Sequence, residues 1–175
     1  MSLPQTVRRL SWLALAAGAA AACSGKPANQ TAAQPAGRAA VAIMSACSLL
    51  TPDEANAVLR LPEIAARRSR DSVAEAARGE SRCVFGPPPH KGIGEVVTVF
   101  VANGLPEQDQ ASLNQVASDM TGEQAQTVTG LGVPAAMATG LPTIVAQKGS
   151  YRVLVSAPTM DGTKTLAAKA IDRLP

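Results

Sequence analysis

Residues 1–22 decide which part of this chain can take part in a fold. Arg8 and Arg9 precede an apolar run from Leu10 to Ala22, which ends in small residues. A basic start, a short apolar run and a small-residue site are the three parts of an export signal. A helix of this run is about 20 Å long, too short for a bilayer core of roughly 30 Å. The sequence therefore predicts a cleaved signal peptide over 1–22.

Cys23 follows this run directly. Residues 20–23, Ala-Ala-Ala-Cys, resemble the lipobox of bacterial lipoproteins, in which the cysteine carries a diacylglycerol and an N-linked acyl chain such as palmitate. Two or more acyl chains anchor a protein stably. We expect lipidation of Cys23 and a position at the cell envelope. Ser24 resembles an outer-membrane sorting residue, so in a Gram-negative host we expect the protein on the outer membrane, facing the periplasm. The alternatives are ordinary cleavage near Ala22 or an unprocessed N-terminal anchor.

Export also determines how the remaining cysteines are interpreted. With Cys23 lipidated, Cys47 and Cys83 are left as a pair in an oxidising compartment, with one possible connectivity. Their disulfide would close a loop of about 36 residues and stabilise the fold by roughly 3.5 to 4 kcal/mol. Two distant cysteines and the single His90 supply too few ligands for a metal site. The sequence predicts a disulfide, no metal and no cofactor.

Composition argues against a nucleic-acid partner. The chain has 16 basic and 13 acidic side chains, but the leader holds two of the basic ones, leaving 14 against 13. Such a nearly neutral chain has no electrostatic footprint for nucleic acid. Outside the leader the aromatic residues are Phe85, Phe100 and Tyr151, too few for a base-stacking surface.

The chain divides into three predicted segments. Residues 24–42 are small, polar and without apolar periodicity, which is typical of a flexible tether. We therefore assign 1–22 to the signal peptide, 23–45 to the lipidated cysteine and tether, and 46–175 to a single domain.

Within that domain, hydrophobic periodicity predicts alternating helices and strands. Thr51, Pro52, Asp53 and Glu54 are typical of a helix start. The other predicted elements are helices over 106–120 and 163–174, strands over 81–85 and 95–101, an edge strand near 70–73, a turn over 130–134, and a β-hairpin of 141–147 with 150–155.

This order favours an α+β fold, an antiparallel sheet with its helices packed on one face. A Cys47–Cys83 disulfide would join the start of the first helix to the first core strand.

The order of elements resembles a family of small, functionally uncharacterised bacterial envelope lipoproteins. The resemblance lies in residues 46–55 (Ala-Cys-Ser-Leu-Leu-Thr-Pro-Asp-Glu-Ala), 82–85, 130–132, 147–149 and 166–174. The order of elements is similar, more distantly, to that of extracellular sensor domains of bacterial receptor kinases, which are thought to bind a ligand. The resemblance implies a compact α+β domain with a cysteine pair near its start, and it carries over no catalytic residue.

No motif in the sequence points to catalysis. His90 follows three prolines, and no nucleophile elbow or phosphate-binding loop is present. We expect a membrane-anchored, non-catalytic domain that binds an envelope protein or polymer. The alternative is a sensor for a small apolar ligand held between sheet and helices. A large apolar cavity would favour the ligand, and a closed core with an exposed apolar strip would favour the partner.

Overall fold

A computed structural model of the chain describes residues 44–68, 72–91, 94–138 and 140–175. The predicted signal peptide, Cys23 and the predicted tether up to residue 43 lie outside the described residues. Met44 packs against the hydrophobic core, so packing begins two residues before the predicted domain start at Ala46.

The described residues form four α-helices and two short 3₁₀ turns. The helices are α1 (Pro52–Leu59), α2 (Ser72–Ala77), α3 (Gln110–Thr121) and α4 (Met160–Asp172); the turns are Ala46–Ser48 and Pro89–Lys91. The predicted start of α1 is confirmed. Thr51 Oγ1 accepts a hydrogen bond from the Glu54 backbone N–H, and the Glu54 carboxylate accepts one from the Thr51 N–H. This reciprocal pair is a capping box.

Two predicted helices begin at different residues in the structure. Helix α3 starts at residue 110 rather than 106, because Asp109 caps it by accepting from the Ser112 N–H. Helix α4 starts at residue 160 rather than 163, because Thr159 accepts from the Gly162 N–H. In both cases the residue that can satisfy a free backbone donor sets the boundary.

Seven strands form one antiparallel sheet, which confirms the predicted α+β class. They are β1 (Ala65–Arg68), β2 (Glu80–Gly86), β3 (Val97–Ala102), β4 (Ala125–Thr127), β5 (Ala135–Ala138), β6 (Thr143–Lys148) and β7 (Tyr151–Ser156). Their order across the sheet is β1-β2-β3-β7-β6-β5-β4. The predicted hairpin is β6 paired with β7.

Three strands differ from expectation. The edge strand is β1 at Ala65–Arg68, not near residues 70–73; residues 69–71 are not described, and Val73 lies in α2. Strands β4 and β5 were not predicted. Strand β4 has only three residues and β5 is alanine-rich, and strands of this kind depend on pairing with their neighbours, here β5 with β6.

The helices lie on both faces of the sheet. Helices α1 and α4 and the Ala46–Ser48 turn pack with one face, here called the core face. Helix α3 packs on the opposite face, where Ala136 and Val145 are buried. The prediction that all helices share one face is therefore wrong for α3. The reason is that β5, β6 and β7 carry apolar side chains on both alternations, so each face needs a cover.

The predicted disulfide is confirmed. Cys47 and Cys83 are bonded, with their Cα atoms 5.0 Å apart, and the bond ties the Ala46–Ser48 turn to β2. Beside it, the Ala46 N–H donates to Ser81 Oγ at 3.0 Å. The disulfide therefore closes the β1–β3 end of the core face.

Candidate functional site

Strands β3 and β7 are buried on one face and accessible on the other. Their side chains on the core face, such as Val99 and Val155, are fully buried. The alternate side chains are only partly buried: Thr98, Phe100, Arg152, Leu154 and Ser156. Because successive side chains of a strand point to opposite faces, these five share the face on which α3 lies.

Helix α3 covers only part of that face. Leu113 and Ala117 are buried against Ala136 of β5 and Val145 of β6. The partly buried side chains of β3 and β7 begin at the edge of this contact, where Leu154 packs against it, and extend away from it across the sheet. We call this uncovered half, residues 98, 100, 152, 154 and 156, the open face.

A cleft of about 240 Å³ runs between the open face and α3. Its floor contains Phe100, Val145 and Leu154, which pair across β3, β7 and β6. Its wall is formed by Val116 and Met120, one turn apart on α3. The Met120 side chain stands at the rim and is 52% exposed. We call this site the α3 cleft.

Arg82 closes one side of the cleft and already has an acidic partner. Its guanidinium carbon lies 5.8 Å from the centre of the Phe100 ring, within range of a cation–π interaction. Arg82 Nε is 3.6 Å from Glu75 Oε1. Glu75 is only 4% exposed, and its Oε2 has no hydrogen-bond partner among the described residues. The charge of Arg82 is thus balanced by a buried carboxylate.

Arg152 lines the same cleft, and among the described residues it has no acidic partner. Its Nη2 donates to the amide oxygen of Gln108 at 2.5 Å. Its Nε is buried and has no hydrogen-bond partner in the described part of the chain. Partial loss of hydration lowers the pKa of Arg152 from its ordinary value, yet an arginine stays protonated throughout the physiological range. A charged donor with one unused N–H therefore borders the apolar floor.

Gln147 holds in place the segment that contains Gln108, the hydrogen-bond partner of Arg152. It lies opposite Arg152 in the β6–β7 pair and is 3% exposed. Its amide nitrogen donates to the Pro106 carbonyl at 2.8 Å and to the Gly149 carbonyl at 3.0 Å. This bonding explains why residues 106–109, predicted as helix, instead form an irregular segment beside the cleft.

The size and chemistry of the cleft suit apolar side chains of a polypeptide. Pockets that enclose a whole small ligand usually measure about 300–1,000 Å³. The α3 cleft is smaller than this and open to solvent along its rim. Aromatic residues, methionine and arginine are also the types enriched in protein–protein interfaces, and Phe100, Met120, Arg82 and Arg152 supply all three.

The residues singled out in the sequence lie elsewhere. Cys83 is buried on the core face, opposite to its neighbour Arg82, so the disulfide takes no part in the cleft. His90 is exposed in the Pro89–Lys91 turn. In the described ranges, no group of three or more histidine, cysteine or acidic side chains could hold a metal ion. The described helices include none that is long and apolar enough to cross a membrane.

Sequence reasoning did not identify the cleft residues as a site. One signal was available: Phe100 and Leu154 sit on the polar alternation of otherwise valine-rich strands, together with Thr98, Arg152 and Ser156. An apolar side chain among polar neighbours on one strand face indicates partial burial. Which strands would meet, and where α3 would end its cover, required the tertiary structure.

Comparison of the chain with protein-family models, with curated proteins and with solved structures finds no match. The resemblance to envelope lipoproteins therefore stays a prediction from the residues.

Proposed function

We propose that this chain is a membrane-anchored envelope lipoprotein whose domain is a non-catalytic docking module. The partner is a segment of another envelope protein, bound in the α3 cleft. The observation that carries the proposal is the cleft between the uncovered half of the sheet face and α3. Phe100 and Leu154 of the sheet and Val116 and Met120 of α3 line it with apolar surface, together with two arginines.

The accessible apolar surface of the cleft can supply binding energy. Burying apolar area is favourable by roughly 25 cal/mol per Å², and interfaces concentrate this gain in a few aromatic, methionine and arginine residues. Phe100 and Met120 supply such residues at the floor and the rim. On the core face the corresponding side chains are already buried by the chain itself, so of the two faces of β3 and β7 only the open face can gain from a partner.

The anchor part of the proposal rests on the sequence. A lipid on Cys23 would hold the protein at the envelope, on the periplasmic side of the outer membrane in a Gram-negative host. If residues 24–42 behave as a flexible coil, their typical reach is about 25 Å. A domain on such a tether would scan partners within a short distance of the bilayer.

A matched pair of variants tests the docking proposal. Met120 and Leu141 are 52% and 55% exposed, but only Met120 lines the α3 cleft. Met120→Lys and Leu141→Lys therefore make the same chemical change inside and outside the cleft. Each variant is expressed in place of the wild-type chain, and the proteins isolated with it from chemically cross-linked envelopes are quantified by mass spectrometry.

The proposal predicts one envelope protein that is recovered with wild type and with Leu141→Lys, and is depleted at least ten-fold with Met120→Lys. Circular dichroism and thermal unfolding of the two variants control for folding. Equal recovery with both variants would contradict docking in the cleft.

A further inference from the structure

Arg152 is a charged group whose nearest neighbours in the described part of the sheet are uncharged. Its neighbours across the β6–β7 and β3–β7 pairs are Gln147 and Ala102, and its hydrogen-bond partner is the amide of Gln108. The next residue along the same row is Glu80, two strands away and about 10 Å distant at the usual strand spacing. Glu80 is bonded to Arg78 at 2.8 Å.

The two arginines of the cleft therefore differ in what they can still bind. Arg82 lies over Phe100 and is paired with the buried Glu75. Arg152 has only a neutral partner, and its buried Nε has none among the described residues. A hydrogen bond between charged groups is about twice as strong as one between neutral groups, more so where water is partly excluded. A carboxylate that reaches the accessible part of the Arg152 guanidinium in the cleft would supply the missing negative charge.

We propose that the partner segment carries a carboxylate two residues from its apolar anchor, and that Arg152 binds this carboxylate. This inference rests on the proposed docking function. The spacing comes from β7: Arg152 and Leu154 are alternate residues of one strand, about 6.6 Å apart. In an extended peptide, residues i and i+2 point to the same side at the same distance. An apolar side chain over Phe100 and Leu154 thus brings an acidic side chain at i+2 to Arg152.

The occupant belongs to a different protein chain. Residues 1–43 contain no aspartate or glutamate; all 13 acidic residues come later in the sequence. The predicted tether therefore cannot supply the carboxylate. Apolar–acidic pairs with the i, i+2 spacing do occur among the described residues, but they are engaged within their own chain. Leu61 packs against the core and Glu63 is paired with Lys91, while Glu75, two residues after Val73, is buried beside Arg82. The N–H of Leu105, two residues before Glu107, is bonded to the Ser150 carbonyl at 3.2 Å.

Capped peptides of matched composition test the inference. The probes are acetyl-Gly-Leu-Ser-X-Gly-amide with X as glutamate, glutamine or lysine, and a fourth peptide with serine and glutamate exchanged. Binding to the full chain, purified from the cell envelope and placed in lipid nanodiscs, is followed by NMR of the Met120 and Leu154 methyl groups. We expect the glutamate peptide to bind roughly ten-fold more tightly than the glutamine peptide. The lysine peptide and the exchanged peptide should both bind with lower affinity than the glutamate peptide.

Two variants show which side chain causes the preference for the glutamate peptide. Arg152→Gln should reduce the glutamate-to-glutamine ratio to less than two-fold, while the glutamine peptide keeps its wild-type affinity. Lys164→Gln removes the same charge from an exposed site on α4, outside the cleft, and should leave the ratio unchanged. Equal binding of the glutamate and glutamine peptides by wild type would overturn the carboxylate inference.

The outcomes also separate this inference from the docking function. If no peptide shifts the two methyl groups, and Met120→Lys loses no envelope partner, docking itself has failed. If all peptides shift them equally, docking stands and the role of Arg152 is wrong. Concentration-dependent self-association of the wild-type chain that is lost in Arg152→Gln would overturn the assignment to a different chain.

Discussion

The carboxylate of Glu54, at the start of α1, accepts hydrogen bonds from both Nη atoms of Arg173, at the end of α4, at 2.6 and 2.8 Å. Lys169 Nζ also donates to it, at 3.1 Å. Arg173 further donates to the Leu49 carbonyl at 2.7 Å. Residues 119 positions apart in sequence thus fasten the first helix to the last.

Neutralising Glu54 should weaken this link. The pKa of Glu54 is lowered from 4.5 to about 2, and its hydrogen bonds with Arg173 are the largest cause. We expect Glu54→Gln to reduce the free energy of unfolding at pH 7 by about 1–2 kcal/mol, less than the full pKa shift implies because Arg173 is partly exposed. Glutamine keeps an oxygen for the Thr51 N–H, so the capping box is retained.

The pH dependence of this effect follows from the direction of the shift. The folded-state pKa lies below the unfolded value, so the stabilisation is complete above about pH 4.5 and is lost as the pH falls toward 2. Urea unfolding of wild type and Glu54→Gln should therefore differ at pH 7 and converge near pH 2. A difference that is the same at both pH values would show that charge is not its cause.

Removal of the Cys47–Cys83 disulfide should destabilise the domain. The bond closes a loop of 36 residues. In the chain-entropy model this is worth roughly 3.5–4 kcal/mol, and the double variant Cys47→Ala/Cys83→Ala should lose about 2–4 kcal/mol of unfolding free energy. Urea unfolding of the variant and of reduced wild type measures this. An unchanged unfolding midpoint on reduction, with both peptides linked in a non-reduced digest, would contradict a stabilising role.

Thr163 is a buried polar residue of α4 whose hydroxyl joins three backbone groups. Its Oγ1 is bonded to the Pro142 carbonyl at 2.8 Å and the Thr159 carbonyl at 2.9 Å, and it accepts from the Ala157 N–H at 3.2 Å. Thr163→Val keeps the shape and removes these hydrogen bonds, while the Ala157 N–H keeps its bond to the Pro142 carbonyl at 3.3 Å. We expect a cost of about 1–2 kcal/mol of unfolding free energy.

Thr165→Val is the control for this substitution. Thr165 is exposed in the same helix and bonds only to the Asp161 carbonyl one turn back. Its loss should change the unfolding free energy by less than about 0.5 kcal/mol. Thermal or urea unfolding compares the two variants directly, and equal effects would mean that the buried network at Thr163 contributes nothing of its own.

Lipidation of Cys23 stays a prediction from the sequence. Cys23→Ala should leave the precursor uncleaved by the lipoprotein peptidase and should abolish metabolic labelling with a radioactive fatty acid. Cys47→Ala is the matched control, because it removes a cysteine of the domain and should leave labelling intact. Undiminished labelling of Cys23→Ala would contradict the lipobox interpretation.

The parts of the fold that the sequence predicted have strong local signals. Thr51, Pro52 and Glu54 are a start signal for α1 whatever surrounds it, and the valine-rich runs of β3 and β7 have high strand propensity. The predicted start of α3 was wrong because the sequence offers both Glu107 and Asp109 for a first turn. The start that Asp109 caps depends on long-range hydrogen bonds of Gln108 and Gln147. Strand β5 was missed because alanine gives no strand signal, and β6 supplies its pairing.

The cleft could not be predicted for a related reason. Arg152 lies beside Gln108 and Met120 lies beside Phe100 only after β7 has paired with β3 and α3 has packed on β6. No sequence spacing encodes these distances. The disulfide could be predicted because the chain has three cysteines, and lipidation of Cys23 would leave Cys83 as the one possible partner of Cys47.

The most direct test of the docking surface is site-specific photo-crosslinking in living cells. A photoreactive benzoylphenylalanine replaces Met120, at the rim of the α3 cleft, or Leu141, an equally exposed position outside it. The account predicts a single crosslinked envelope protein from position 120, absent from position 141, and lost from position 120 when Phe100→Ala is added to a chain that still folds. The same crosslinked product from both positions, or none from position 120, would contradict it.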